Sequence, residues 1–267
     1  MVDADKGQVS TAAAEVYEEL FLPALFSQWA PRVADVLELA PGQRVLDVAC
    51  GTGVFAREAA ARVTPGGSAV GIDINEGMLE IAARNAPEVA WSRAPAEALP
   101  FEDGSFDRVA SLFGLMFFED RSRAISEMLR VLQPGGRLVV AVWGSLEETP
   151  GYAAVTDLLE RLFGSDIADA LRAPYNLGRK DVLGALFAEA GAETASIHRV
   201  EGTARFPSIE EWMHTDIKGW TLADRIDDSQ FQELLRGANA DLREFVCEDG
   251  TVAFDAPARF VTWDEGE

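Results

Sequence analysis

The stretch Val45-Leu46-Asp47-Val48-Ala49-Cys50-Gly51-Thr52-Gly53-Val54-Phe55-Ala56 constrains the fold more than any other part of the chain. A short aliphatic run passes through a glycine turn directly into helical spacing, the pattern of a buried strand feeding a helix. A strand apolar on both faces needs helices on both sides of its sheet, which points to a parallel α/β architecture. The downstream sequence repeats the alternation. Strands are expected at residues 44–49, 68–73, 89–93, 106–112 and 137–143, with helices at 54–62, 75–85 and 121–132 between them. Pro134-Gly135-Gly136 reads as a break and tight turn before the fifth strand.

Either side of this core the rhythm changes. Residues 1–41 form a helical N-terminal extension: apolar side chains recur at helical spacing from Ala12 to Leu39, divided by Pro23 and Pro31 and ended by Pro41-Gly42. Residues 42–143 are the ligand-binding core. A helical lid insert is expected over 144–178, a core helix and strand over 179–207, a second helical lid insert over 208–248 and a closing strand over 249–267. Within these, helices are expected at 152–163, 166–172, 179–190, 208–219 and 229–248, and strands at 194–200 and 251–262. The predicted fold class is α/β: a doubly wound, Rossmann-like, seven-stranded, mostly parallel sheet with a helical N-terminal extension and lid insertions.

Composition removes several functions. The 267 residues carry 45 acidic and 23 basic side chains, a net charge of -22, and nucleic-acid affinity rests on basic side chains, so no nucleic acid is expected as a partner. Lysine occurs only as Lys6, Lys180 and Lys218. Cys50 and Cys247 are the only thiols, too few for a disulfide framework, and no Cys/His spacing predicts a metal. Met1 to Ser10 lacks the apolar run of a leader, and the most apolar stretch, residues 109–118, is about half the roughly twenty residues of a membrane span. A cytoplasmic protein without membrane insertion, acting on a small molecule, is the expectation; the oligomeric state is not readable.

In an open parallel sheet, ligands bind beyond the carboxyl ends of the strands. Gly51 and Gly53 let backbone approach a ligand there, or simply make the turn. Val70-Gly71-Ile72-Asp73-Ile74 then places a carboxylate about twenty residues further on, the offset at which an acid receives ribose hydroxyls; the alternative role for Asp73, capping the next helix, can be filled by Asn75. The run from Gly51 to Ala56 satisfies the G-x-G-x-x-A dinucleotide fingerprint, so an NAD(P)-dependent oxidoreductase must be weighed. Against it, Asp47 would face a pyrophosphate with like charge but an ammonium group with opposite charge. No Tyr-x-x-x-Lys pair exists either: Thr156 follows Tyr152 and Arg179 follows Tyr175 at that spacing.

At this point the residues resemble the class I S-adenosylmethionine-dependent methyltransferases, particularly the ubiquinone/menaquinone methyltransferase-like branch. The resemblance covers about residues 44–143. It rests on Leu46-Asp47-Val48-Ala49-Cys50-Gly51-Thr52-Gly53, Gly71-Ile72-Asp73, Ala96-Glu97-Ala98-Leu99-Pro100-Phe101, Ser105-Phe106-Asp107 and Leu132-Gln133-Pro134-Gly135-Gly136-Arg137-Leu138, in that order. It implies S-adenosylmethionine as cofactor and S-adenosylhomocysteine as product. It also implies that Asp47, Ala49, Gly51 and Gly53 hold the methionyl part and Asp73 the ribose, with Ile74 and Met78 flanking adenine. Ala96 and Glu97 would contact the adenine edge, and Ser111 to Phe113 would line the route to the acceptor. Pro95 departs from the pattern, standing where the family often has an acid for the adenine amine, and Ala49 replaces a glycine of the stricter motif.

Transfer from a sulfonium is an in-line displacement, so positioning can supply ~7–11 kcal/mol of the barrier. If the acceptor must lose a proton, His214 in the second lid insert is the preferred general base; His198 in a predicted strand reads as solvent-facing. Tyr17 has two readings, a cation–π contact to the sulfonium or packing with Leu20 and Phe21. Phe113, Trp143, Tyr152 and Trp212, with Tyr17, are the expected acceptor pocket, apolar enough for an aromatic or lipophilic O, N or C acceptor. A non-catalytic S-adenosylmethionine-binding protein is the remaining alternative.

Overall fold

The computed structural model describes residues 11–218, 222 and 225–266. The reading of Met1 to Ser10 and the expected helix end at Gly219 lie outside them.

The chain opens with α1 (Thr11–Val16), which runs into a π-helix at Tyr17–Phe26 that contains Pro23, and then α2 (Trp29–Val36). Pro23 has no N–H to give to an α-helical ladder, and the wider winding carries the chain past it. The core follows as β1 (Arg44–Val48), α3 (Val54–Val63), β2 (Ser68–Asp73), α4 (Glu76–Asn85), β3 (Ala90–Arg93), β4 (Phe106–Leu112), α5 (Arg121–Val131) and β5 (Leu132–Trp143). Helices α4 and α5 start where side chains cap them: Asn75 accepts from the Met78 N–H at 3.1 Å and Asp120 from the Arg123 N–H at 2.9 Å. Beyond the core come α6 (Pro150–Phe163), α7 (Ser165–Arg172), α8 (Lys180–Glu189), β6 (Ser196–Val200), β7 (Thr203–Phe206), α9 (Ile209–Lys218), α10 (Asp228–Asp241), β8 (Val252–Asp255) and β9 (Ala258–Asp264).

Seven strands form one sheet in the order β3-β2-β1-β4-β5-β9-β6. The pairings from β3 through β5 are parallel, and β9 runs antiparallel to both β5 and β6. The strand order reverses between β1 and β4, which opens a crevice above the carboxyl ends of β1, β2 and β4. Leu46, Val109 and Leu138, with the α3 side chain Phe55, are fully buried in the core.

The sequence expectations need three corrections. Pro134-Gly135-Gly136 does not separate helix from strand: the strand begins at Leu132, and the pairing with β4 jumps from Phe106↔Leu132 to Arg108↔Arg137, so the extra residues bulge out with Gly135 at φ 78°. The expected closing strand is two strands, because Ala256 and Pro257 divide β8 from β9. β8 leaves the main sheet and pairs with β7, a segment to which the sequence reading assigned no element. The helix expected over 229–248 stops at Asp241.

Candidate functional site

The turn after β1 takes three left-handed residues: Ala49 at φ 59°, Gly51 at 54° and Gly53 at 84°. For Ala49 this conformation costs of order 1 kcal/mol or more, strain typical of ligand-binding turns. The turn is held by Asp73, whose Oδ2 accepts from the Gly51 N–H at 2.9 Å while its Oδ1 accepts from the Asn75 N–H at 2.8 Å. The carboxylate at the end of β2 therefore fixes the glycine turn as well as facing the crevice.

A cavity of about 390 Å³ lies above this turn. The strand ends supply Asp47, Ala49, Gly51, Asp73 and Phe113, and the loop after β3 supplies Ala94 to Glu97. The roof is the π-helix, which presents Tyr17, Phe21, Leu25 and Phe26; Tyr152, Leu171, Pro174, Tyr175 and Asp216 close the far side. Among the described residues, every ionisable side chain on this wall is an acid, a phenol or the Cys50 thiol, and no lysine, arginine or histidine lines it.

Asp47 is 2% exposed; its Oδ2 accepts from the Ala56 N–H at 3.1 Å, and its Oδ1 has no partner among the described residues. Burial pushes its carboxyl up to about 8, and the Asp73 charge adds to the effect against the pull of the Ala56 N–H. Asp73 is also raised by burial, opposed by its backbone donors. Two buried carboxyls held above the ordinary range, one of them with an unpartnered oxygen, are a receptor for positive charge.

The rest of the wall is aromatic. Phe113 stacks on Trp143 with ring centres 3.9 Å apart and planes 21° from parallel, and Phe26 lies 5.5 Å from each. Phe113 holds φ 56°, a conformation unfavourable for a bulky side chain that turns its ring from the end of β4 onto Trp143. Tyr17 sits 5.2 Å from Phe26, and its hydroxyl is pushed well up by burial and by the neighbouring Glu18, Asp73 and Asp47 charges.

The cavity brings together most of the residues singled out from sequence: Tyr17, Asp47, Ala49, Gly51, Asp73, Ile74, Met78, Ala96, Glu97, Phe113, Trp143 and Tyr152 all line it. Four do not. Gly53 sits under the Trp91 ring, where a Cβ would come within 2.3 Å of it, so its role is to admit that ring and turn the chain. Ser111 is fully buried behind Gly114. Trp212 is buried as well, stacked on Phe206 and packed on Phe254 at 4.6 Å, and backs Tyr152 edge-on instead of facing the cavity. His214, the preferred base, is exposed and touches the edge of Phe231, because it lies on the outer face of α9. His198 is exposed, as its strand position predicted.

The residue that sequence reasoning missed is Asp216, two positions after His214. It is 3% exposed, lines the cavity and accepts the Tyr152 hydroxyl hydrogen bond on Oδ1 at 3.1 Å. A signal existed: Ile209, Trp212, Met213 and Asp216 share one helical face, so a lone carboxylate stands on the apolar side. Near Pro95, Glu97 turns to accept the Glu119 N–H at 3.1 Å, which ties the two loops on that side of the cavity.

A methyltransferase domain family model matches residues 46–140. The chain is 32% identical over 208 residues to a ubiquinone/menaquinone biosynthesis C-methyltransferase of Ectopseudomonas mendocina, covering 70% of this chain and 80% of that protein. It is 40% identical over 134 residues to a demethylmenaquinone methyltransferase of Renibacterium salmoninarum, covering 50% of this chain and 55% of that one. The match spans little more than half the length of several such relatives. Among solved structures, Haemonchus contortus phosphoethanolamine N-methyltransferase 2 superposes with a TM-score of 0.64 at 19% identity, covering 98% of this chain and 59% of that one, a likeness of fold. The chain belongs to the class I S-adenosylmethionine-dependent methyltransferases, in the branch of the ubiquinone/menaquinone C-methyltransferases.

Proposed function

We propose that the protein moves a methyl group from S-adenosylmethionine to a small, uncharged, aromatic or lipophilic acceptor of quinol type. The observation that carries this reading is the charge of the cavity wall, which offers carboxyls and aromatic faces and no basic side chain among the described residues. That wall suits a ligand bearing an ammonium and a sulfonium and is unsuited to a pyrophosphate or a carboxylate-bearing acceptor. Bound S-adenosylmethionine supplies a methyl group already activated on positively charged sulfur.

In this reading the unpartnered Oδ1 of Asp47 receives the ammonium group. The remaining lone pairs of Asp73 receive ribose hydroxyls, with its backbone bonds fixing their direction. Pro95 gives adenine neither a carboxylate nor an N–H, so recognition falls to the backbone of residues 94–97 and to the flanking Ile74 and Met78. The Phe113–Trp143 stack and Phe26 form the apolar wall for the acceptor and keep water from the reacting atoms. The relatives named for menaquinone and ubiquinone biosynthesis support a quinone-type acceptor.

The test is calorimetric titration with S-adenosylhomocysteine. Wild-type protein is expected to bind it, and Asp73→Ala to bind at least tenfold more weakly, about 1.4 kcal/mol or more. Equal affinities would remove the ribose role, and stabilisation by NADH with no response to S-adenosylhomocysteine would replace the whole reading.

A further inference from the structure

The functional reading above gives the buried acid on α9 no part in holding the cofactor, yet this acid lines the same cavity. Asp216 is pinned through Oδ1 by the Tyr152 hydroxyl at 3.1 Å; its Oδ2 is buried and accepts no well-formed hydrogen bond among the described residues, although the Trp212 indole N–H, itself without a well-formed bond, lies close enough to favour the charged carboxyl. Tyr152 is itself fixed, 5.8 Å from Tyr175 and 5.4 Å from Phe254, so the carboxyl is aimed by a rigid aromatic frame. A buried carboxylate oxygen without a well-formed hydrogen bond is costly, and a ligand O–H that supplied one would remove the penalty. No ion pair joins Asp216 to a basic side chain among the described residues.

We propose that Asp216 is the residue that selects and deprotonates the acceptor, taking the hydrogen of an aromatic hydroxyl on its Oδ2, with Tyr152 as its positioning residue. This rests on the functional reading above and adds to it the residue that recognises the hydroxyl of the quinol-type acceptor and takes its proton. The O–H proton passes to Oδ2 as the acceptor forms its bond to the methyl carbon, and the carbon–sulfur electron pair stays on sulfur. When the acceptor oxygen is the nucleophile, the proton leaves from Asp216 to solvent. When a ring carbon ortho to the hydroxyl attacks, that carbon loses its own proton and the oxygen recovers one from Asp216. One proton is released per methyl in either case.

Burial pushes the Asp216 carboxyl up to about 7, opposed by the Tyr152 hydroxyl and the Trp212 indole N–H. The phenols facing it are Tyr152 from α6 and Tyr175 from the turn after α7, both raised by their own burial. The π-helix contributes Tyr17 to the cavity, and the remaining ionisable groups there are Asp47, Cys50, Asp73, Glu97 and Glu119. Asp216 thus changes charge near neutrality while the phenols facing it stay protonated.

Anaerobic calorimetry on protein saturated with S-adenosylhomocysteine tests this, using naphthohydroquinone and its dimethyl ether as probes. Wild type is expected to bind the diol at least tenfold more tightly than the ether above pH 7, with the preference shrinking below it. Asp216→Asn, which keeps shape and the bond from Tyr152, is expected to bind both alike while retaining wild-type affinity for S-adenosylhomocysteine. Tyr152→Phe removes a donor to the carboxylate and is expected to move the midpoint of the preference to higher pH. A wild type that does not favour the diol, or an Asp216→Asn protein that still does, overturns the proposal. Failure of wild type to bind S-adenosylhomocysteine would instead overturn the functional reading beneath it.

Discussion

Asp47 is the residue at which burial and ligand charge work against each other. Its folded carboxyl is raised from 3.8 to about 8, so the native state holds a proton that the unfolded chain has already released. Stability from this group is complete below about 4 and is lost as pH rises toward 8. Melting of the protein alone is therefore expected to fall to lower temperature across that interval, and saturating S-adenosylmethionine to flatten the slope, since a cation beside Asp47 favours the carboxylate. For the same reason affinity for S-adenosylmethionine should rise with pH up to about 8. Asp47→Asn should bind at least tenfold more weakly and without that dependence, readable by calorimetry at several pH values. Asp47 and Asp73 were identifiable from sequence because each ends an aliphatic strand beside a glycine turn or at the ribose offset. Asp216 was passed over: the helical spacing of Ile209, Trp212, Met213 and Asp216 sets it on the apolar face of α9, but that spacing does not tell what the face packs against.

At the level of elements, the loop after β3 is held by α5. Glu127 is 4% exposed and accepts the Leu99 N–H at 2.9 Å, while Arg130 bonds Glu127 and donates to the carbonyls of Leu99 and Phe101. Arg130 holds the Glu127 carboxyl below the ordinary range. Arg130→Ala leaves that acid buried, with Arg123 as its remaining basic partner at 3.2 Å, and should cost about 3 kcal/mol by denaturant unfolding. It should also weaken S-adenosylhomocysteine binding, because the loop that continues from residues 94–97 loses its anchor at Leu99 and Phe101. The alternation of apolar runs and helical spacing gave β1 to β4 to within a residue or so, since buried parallel strands are written as continuous aliphatic runs. Val252–Asp255 lay inside the strand expected over 251–262, but β7 escaped because Thr203–Phe206 is only four residues long, and the β7–β8 pairing because it joins segments far apart in the chain. The bulge in β5 escaped because proline and glycine read as an end to the strand when here they loop out of it.

Across the whole molecule, the roof is tied to the β7–β8 ribbon. Gln28 donates to the Thr203 carbonyl at 2.8 Å and accepts the Thr203 N–H at 3.2 Å, and a Cβ at Gly202 would come within 2.2 Å of Trp29. These contacts dock the N-terminal extension onto the β7–β8 ribbon and so set the π-helix over the cavity. Gln28→Ala should destabilise by about 1–2 kcal/mol through the lost paired bonds and speed amide exchange over residues 17–26, with the sheet unaffected. No helix among the described residues is long and apolar enough to cross a membrane. The acid-only wall has one more outcome for a catalytic cycle. Methyl transfer discharges the sulfur, so the wall that attracted a net cation is left around a spent molecule of no net charge. Fresh donor is thereby favoured over used donor, by a margin that added salt should narrow, and the chemistry itself loosens the grip that must be released before the next turnover.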